Sequence, residues 1–188
     1  MAIPDLIVDR IATPGVMAAK LLLPWGSATD GVCQRGAHQL LAATLSRGCG
    51  PFDHRQLADL VEGRGAGLRS DAHEDGLLIS LRCTTEDAQE LMPLLDWMVT
   101  EPHLATEQLE LERSLSLQAL QRQREDPFHL AIDQWRQLVY GSTGYGHDPL
   151  GVSDDLQRLD NSVLQALARQ LTTGRSGLAI SGTWPSAL

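Results

Sequence analysis

The chain predicts an α+β domain in which a mostly antiparallel sheet of about five strands packs against a layer of helices. Three observations carry that expectation. Short extended runs are mixed with blocks of helix-like sequence without strict strand–helix alternation, which argues against a doubly wound parallel sheet. Asp75-Gly76 joins two extended runs, a strong antiparallel hairpin signal. A length of 188 residues at 43% hydrophobic composition can bury one good core, so residues 1–188 read as a single domain.

The elements follow in order. Leu6 to Ile11 and Val16 to Leu23 read as strands separated by the turn signal Thr13-Pro14-Gly15. Pro24-Trp25-Gly26-Ser27 ends the second strand, and a helix-like run from Gly31 to Arg47 follows, closed by Gly48 and Gly50. The next helix spans His54 to Glu62, with Asp53 as its N-cap and Gly63 as its stop. Gly67 to Asp71 and Leu77 to Cys83 are the hairpin strands around His73-Glu74-Asp75-Gly76. Thr84 or Thr85 caps a helix reaching about Val99, with acids in its first turn and Glu101-Pro102 closing it. Thr106 starts a capping pattern for a long helix to about Arg124, whose apolar stripe of Leu109, Leu115, Leu117 and Leu120 is imperfect. Asp126-Pro127 breaks that helix, and Phe128 to Tyr140 forms another. A glycine-rich loop covers Gly141 to Gly151. Short helices at Ser153 to Leu159 and Asn161 to Leu171 lead to a last strand at Gly177 to Ser181. Trp184 to Leu188 reads as a linker.

The net charge of −9, with basic residues scattered, repels phosphate backbones and argues against a nucleic-acid partner. All but one of the 15 basic residues are Arg, Lys20 being the exception. Cys33, Cys49 and Cys83 are odd in number and widely spaced, which fits buried free thiols rather than a disulfide framework or a thiolate metal cluster. The start, Met1-Ala-Ile-Pro-Asp, lacks the basic and apolar regions of a signal peptide. No apolar run approaches the ~20 residues of a membrane span. A soluble, cytoplasmic protein is expected.

The most informative segment is Gly36-Ala37-His38-Gln39-Leu40-Leu41-Ala42. An inverted zinc-peptidase motif reads His-x-x-Glu-His on a helix, with both His on one face and the Glu as general base. His38 stands at the first position, Leu41 at that of the Glu, and Ala42 at that of the second His. Neither Leu41 nor Ala42 can bind zinc or move a proton.

Further pieces extend the likeness. Trp25-Gly26-Ser27, Arg47-Gly48, Glu110-Leu111-Glu112-Arg113, Tyr140-Gly141, Gly146, Pro149-Leu150-Gly151 and Ala179-Ile180-Ser181-Gly182 occur in order along the chain. Together they resemble the N-terminal metal-domain half of the insulinase, pitrilysin and mitochondrial processing peptidase family, the inverzincins. The resemblance implies a peptidase-like domain that is the first half of a longer two-domain chain. It implies a third zinc ligand seven residues beyond a Glu-Arg pair, a position held here by Ala119. Two of three ligands and the general base are then absent, and the pocket is expected to be filled and dry. The groups that would orient ligands are expected to be gone as well. Two-subunit members of the family pair a catalytic chain with a similar chain that has lost the motif. This chain looks like the second type: not an enzyme, without cofactor, zinc lying only in the partner chain. Its expected partners are a catalytic zinc-peptidase chain of the same family or a second copy of itself in a dimer, together with a peptide substrate.

Plainer readings stand beside these. His38 alone reads as a core histidine with a satisfied ring nitrogen. His73-Glu74-Asp75 falls at a hairpin turn and reads as solvated, and His54, His103, His129 and His147 lack ligand spacing. Glu107, Glu110 and Glu112 crowd the first turns of a helix, where its dipole favours acids. Gly141 to Gly146 lacks the Gly-Lys-Ser/Thr end of a phosphate loop, and no serine has a Gly-x-Ser-x-Gly setting. Two other functions remain open: an active metallopeptidase that rebuilt its site from His38 with His73 or Glu74, and a peptide-binding scaffold using a strand edge.

Overall fold

The structure, a computed structural model, describes residues 4–13, 15–142 and 144–184. The linker reading of Trp184 to Leu188 lies outside the described residues from Pro185 onward, as does Pro14 of the predicted turn. Alternation builds the sheet. In β2 (Val16–Leu23) every second residue is buried, and β4 (Leu77–Thr84) repeats the pattern. Antiparallel register sets Met17 opposite Cys83, Ala19 opposite Leu81, Leu21 opposite Ile79 and Leu23 opposite Leu77, so one face is apolar throughout. Each fully buried Leu or Ile there contributes about 1.5–3 kcal/mol.

The five strands run in the order β1-β5-β2-β4-β3, with β1 as Asp5–Arg10, β3 as Gly67–Ala72 and β5 as Gly177–Gly182. All pairs are antiparallel except β1 with β5, so the predicted α+β class and mostly antiparallel sheet both hold. The strands flanking Gly15 are not neighbours, because β5 enters between them. The hairpin stands as predicted, closed by the amide of His73 donating to the carbonyl of Gly76.

One helix organises the other layer. α1 (Ala37–Leu45) contacts β3, the 3₁₀ turn Ser27–Thr29, α5 (Thr106–Gln123) and α8 (Asn161–Leu171). It is shorter than the predicted run from Gly31, whose first residues form turns. α2 (His54–Glu62) has the expected cap, a reciprocal box between Asp53 and Gln56. The helix predicted to reach Val99 is two pieces, α3 (Ala88–Leu91) and α4 (Pro93–Thr100). The strand continues through Thr84, whose hydroxyl accepts from the amide of Asp87, and Pro93 has no N–H to extend α3. Thr106 makes no side-chain cap; Ala105 occupies that place. α6 (Pro127–Tyr140) starts at Pro127 behind the Asp126 cap, and the first short helix, α7, spans only Ser153–Leu156.

Two chain segments meet at the start of α1. Gly36 (φ +98°) and Gly151 (φ +107°) face each other so closely that a Cβ on Gly151 would lie 2.5 Å from the Gly36 Cα. Both backbones also need the left-handed region, which glycine alone enters freely. Gly151→Ala is expected to cost about 2–4 kcal/mol, from strain and backbone displacement together. Urea unfolding checks this, and a loss below about 1 kcal/mol would mean the segments do not cross there.

Candidate functional site

The turn before α1 brings a carboxylate back onto the helix start. Asp30 Oδ2 accepts from the Gly36 amide at 2.7 Å, and Oδ1 accepts from the His38 amide at 3.2 Å. Oδ1 also lies 2.6 Å from His38 Nδ1, with side-chain exposures of 2% for His38 and 0% for Asp30. The carboxylate accepts, so Nδ1 carries the proton. His38 Nε2 is buried and without a hydrogen-bond partner. His38 is therefore only half satisfied as a core histidine. The expectation that its orienting group was lost is corrected: a carboxylate on the far ring nitrogen is the arrangement that aims a ligating imidazole.

Leu41 and Ala42 follow on the same helix face, both fully buried. Ala119 is half-buried on α5. Two anchors set the direction of α5. Arg47, just past the end of α1, donates from Nε to Glu112 at 2.6 Å, while Leu120 and Arg124 share a cleft with Arg35, just before α1 begins. α5 therefore runs back along α1, with Ala119 toward the His38 end. Glu112 is buried at 7% exposure and paired with Arg47, so the helix dipole that favours acids in first turns is not its whole account.

A second ion pair sits just before α1. Arg35 donates from Nε to Asp155 at 2.6 Å, and its backbone amide reaches the same oxygen at 3.2 Å. Burial alone would raise the Asp155 pKa, but the Arg35 donors and charge outweigh it and hold the carboxyl below its ordinary value. The same hydrogen bond raises Arg35.

The other candidates scatter. His73 is exposed, and its backbone carbonyl accepts from Ser27. The Glu74 carboxylate takes 2.9 Å from Arg136, and Asp75 accepts from the Tyr145 hydroxyl, so the turn is tied down rather than free in solvent. Cys49 and Cys83 are buried as expected, burial and then Glu101 pushing the Cys49 thiol up to about 11. Cys33 is instead exposed, in the turn before α1 at φ 72°. Among the described residues no group of three His, Cys, Asp or Glu side chains is placed to hold a metal ion, and no helix is long and apolar enough to cross a membrane. The donor set around His38 does not fit a zinc ion, which needs three protein ligands and an open position.

Sequence reading missed Asp30, Arg35 and Asp155. Asp30 and His38 are eight residues apart across a turn, and Arg35 and Asp155 are 120 apart, so neither spacing carries a periodic signal.

No family model matches the chain, and no curated protein does either. Solved structures do. A peptidase M16 inactive domain from Pseudomonas fluorescens superposes with a TM-score of 0.86 at 21% identity, over 97% of this chain and 45% of that one. The fold is that of peptidase M16 domains. A protease from Helicobacter pylori gives 0.87 at 14% identity over 97% and 44%, and the periplasmic protease PqqL from Escherichia coli gives 0.84 at 13% over 97% and 21%. The chain thus spans less than half the length of each of these structures.

Two outcomes are expected. Asp30→Ala strands the Gly36 and His38 amides and Nδ1–H in the core, and should lower stability by about 2–5 kcal/mol in chemical denaturation; near-neutral behaviour would mean the carboxylate does not hold α1. For Asp155, the folded pKa is depressed, so its contribution is present above the unfolded value near ~3.9 and lost as pH falls through the folded pKa. Asp155→Asn should be about 1–3 kcal/mol less stable than the parent at pH 7, Arg35 being partly exposed. The two unfolding curves should converge in acid, and a constant gap down to pH 2 would refute the pairing.

Proposed function

We propose that this chain is a catalytically inactive zinc-peptidase-like domain, the non-catalytic partner of an active metallopeptidase chain of the same fold in peptide processing or degradation. One observation carries the reading. A buried imidazole is still held by a carboxylate as a metal ligand would be, yet Leu41 and Ala42 occupy the next positions on its face. The M16 fold supports it, as does the description of the Pseudomonas structure as an inactive domain, although the Helicobacter and Escherichia structures are described as proteases.

In this reading His38, Leu41, Ala42 and Ala119 line a former metal site and zinc resides only in the partner chain. The domain is the first half of a longer two-domain protein and works in the cytoplasm. A rebuilt metal site is less well supported, because Arg136 engages the Glu74 carboxylate that would serve it.

Metal analysis and peptide cleavage test the reading directly. The purified chain should carry no stoichiometric zinc and cleave no peptide; chelatable zinc at one per chain would sink it. Repair is the sharper probe. Leu41→Glu, Ala42→His and Ala119→Glu together should bind zinc, since Asp30 already orients His38, and zinc should raise the melting temperature. Without zinc the two new carboxylates and the new imidazole are desolvated, so the variant should melt below the parent. Cleavage should stay very low, because catalytic geometry must hold within about 0.5 Å. A variant as stable as the parent in chelator, with no rise on adding zinc, would show that these positions never lined a metal pocket.

A further inference from the structure

The apolar stripe of α6, with Phe128, Ile132, Trp135 and Leu138, is exposed, and the half-buried residues of the helix are the polar His129, Asp133 and Arg136. Between α5, α6 and the segment from Gly146 to Ser153 lies an open cleft of about 200 Å³. That is smaller than the pocket of a drug-sized ligand and suits a guest of a few heavy atoms. Leu120, Leu130 and Val152 give it apolar walls.

Three acceptors in its lining have nothing to accept from. His147 is 6% exposed, and its Nδ1 lies 2.8 Å from the Asp148 carbonyl oxygen. A carbonyl only accepts, so Nδ1 carries the proton and Nε2 of the neutral ring presents a lone pair. Nε2 is buried and without a partner among the described residues. Gln123 Oε1, on α5, is buried and unpartnered in the same way. On α6, no hydrogen bond holds the Asp133 carboxyl down. Its pKa is raised, by burial first and then by Asp148, against weaker pulls from Arg136, His129 and Arg124. Both guanidinium groups in the lining already have partners: Arg35 is bound to Asp155, and Arg124 donates to Ser153 Oγ at 3.2 Å. Buried acceptors are ordinarily satisfied, and here three of them line one space.

We infer that this cleft binds a primary alkylammonium group, carried by a small free amine or by a lysine side chain of a bound peptide. An ammonium has three N–H donors and no acceptor, which matches a histidine nitrogen, an amide oxygen and a carboxylate. Its charge offsets Asp133 and Asp148, and its methylenes lie against Leu120, Leu130 and Val152. A metal ion fits less well, because no three ligating side chains stand together among the described residues. A guanidinium presents five N–H groups in a flat fork, more than the open acceptors can meet. The inference rests on these acceptors and is independent of whether the metal site is dead.

Calorimetry on the full chain at pH 8, where alkylamines are charged, tests it. The probe n-butylammonium should bind with a dissociation constant of about 1 mM or below, and 1-butanol and n-butylguanidinium at least about 10-fold more weakly. Asp133→Asn and His147→Phe should each weaken n-butylammonium about 10-fold or more, with Gln123→Leu as the substitute where either fails to fold. Asp133→Asn also separates binding from structure. Freed of a buried carboxylate facing Asp148, the unliganded variant should melt about 2 °C or more above the parent, yet the amine should no longer raise its melting temperature. A purely structural Asp133 would instead lower the melting point of the free chain. N-acetyl-lysine amide and its norleucine counterpart distinguish the sources: lysine binding tighter than n-butylammonium points to a peptide side chain, and weaker binding points to a free amine. Both results uphold the ammonium site. Butanol binding as well as the amine, guanidinium binding better, or no binding at tens of millimolar overturns the inference.

Discussion

The Asp30 carboxylate is the contact on which the arrangement of this domain turns. It is buried, and it accepts from two amides at the start of α1 and from the His38 ring. A helix start has unpaired N–H groups and a favourable field for a negative charge. Here a residue six positions upstream of Gly36 meets both needs and clamps the helix in place. Because α1 touches the sheet, α5 and α8, fixing its start fixes the helix layer. The Gly36–Gly151 crossing and the Arg35–Asp155 pair bind the late part of the chain to the same point.

The site beside it sets a buried polar pair directly against apolar core. Replacing buried polar groups by apolar ones of fitting shape costs little and often stabilises. Leu41 and Ala42, on the same helix face as His38, are fully buried apolar residues. The Asp30–His38 pair lies in that core, and His38 Nε2 is buried with no partner among the described residues. An unsatisfied buried nitrogen costs about 1–3 kcal/mol. Asp30 also carries the start of α1, so its carboxylate has a structural duty apart from the imidazole.

The outward side of the molecule follows the opposite logic. α6 is tied to the rest of the domain by Arg136 and the Tyr145–Asp75 contact next to it, and its apolar residues point away. Such a helix contributes little to the core of its own domain.

Much of the fold was legible because it is written in local chemistry. The alternation of β2 and β4, the Asp75-Gly76 turn, the Asp53 cap and the break at Pro127 each depend on residues a few positions apart. The same is true of Leu41 and Ala42 standing three and four residues after His38. Burial direction and long-range pairing were decided only in three dimensions. Nothing local says that the stripe of α6 faces outward, since a periodic pattern shows that a face is apolar and not what it meets. Glu112 read as one of several first-turn acids until Arg47 arrived from 65 residues away, and β1 found β5 across nearly the whole chain. The sequence by itself determined most of the elements and the apolar run of Leu41 and Ala42 after His38. The tertiary structure alone decided that a carboxylate still holds His38, because that bond depends on a turn that brings Asp30 back over the start of the helix.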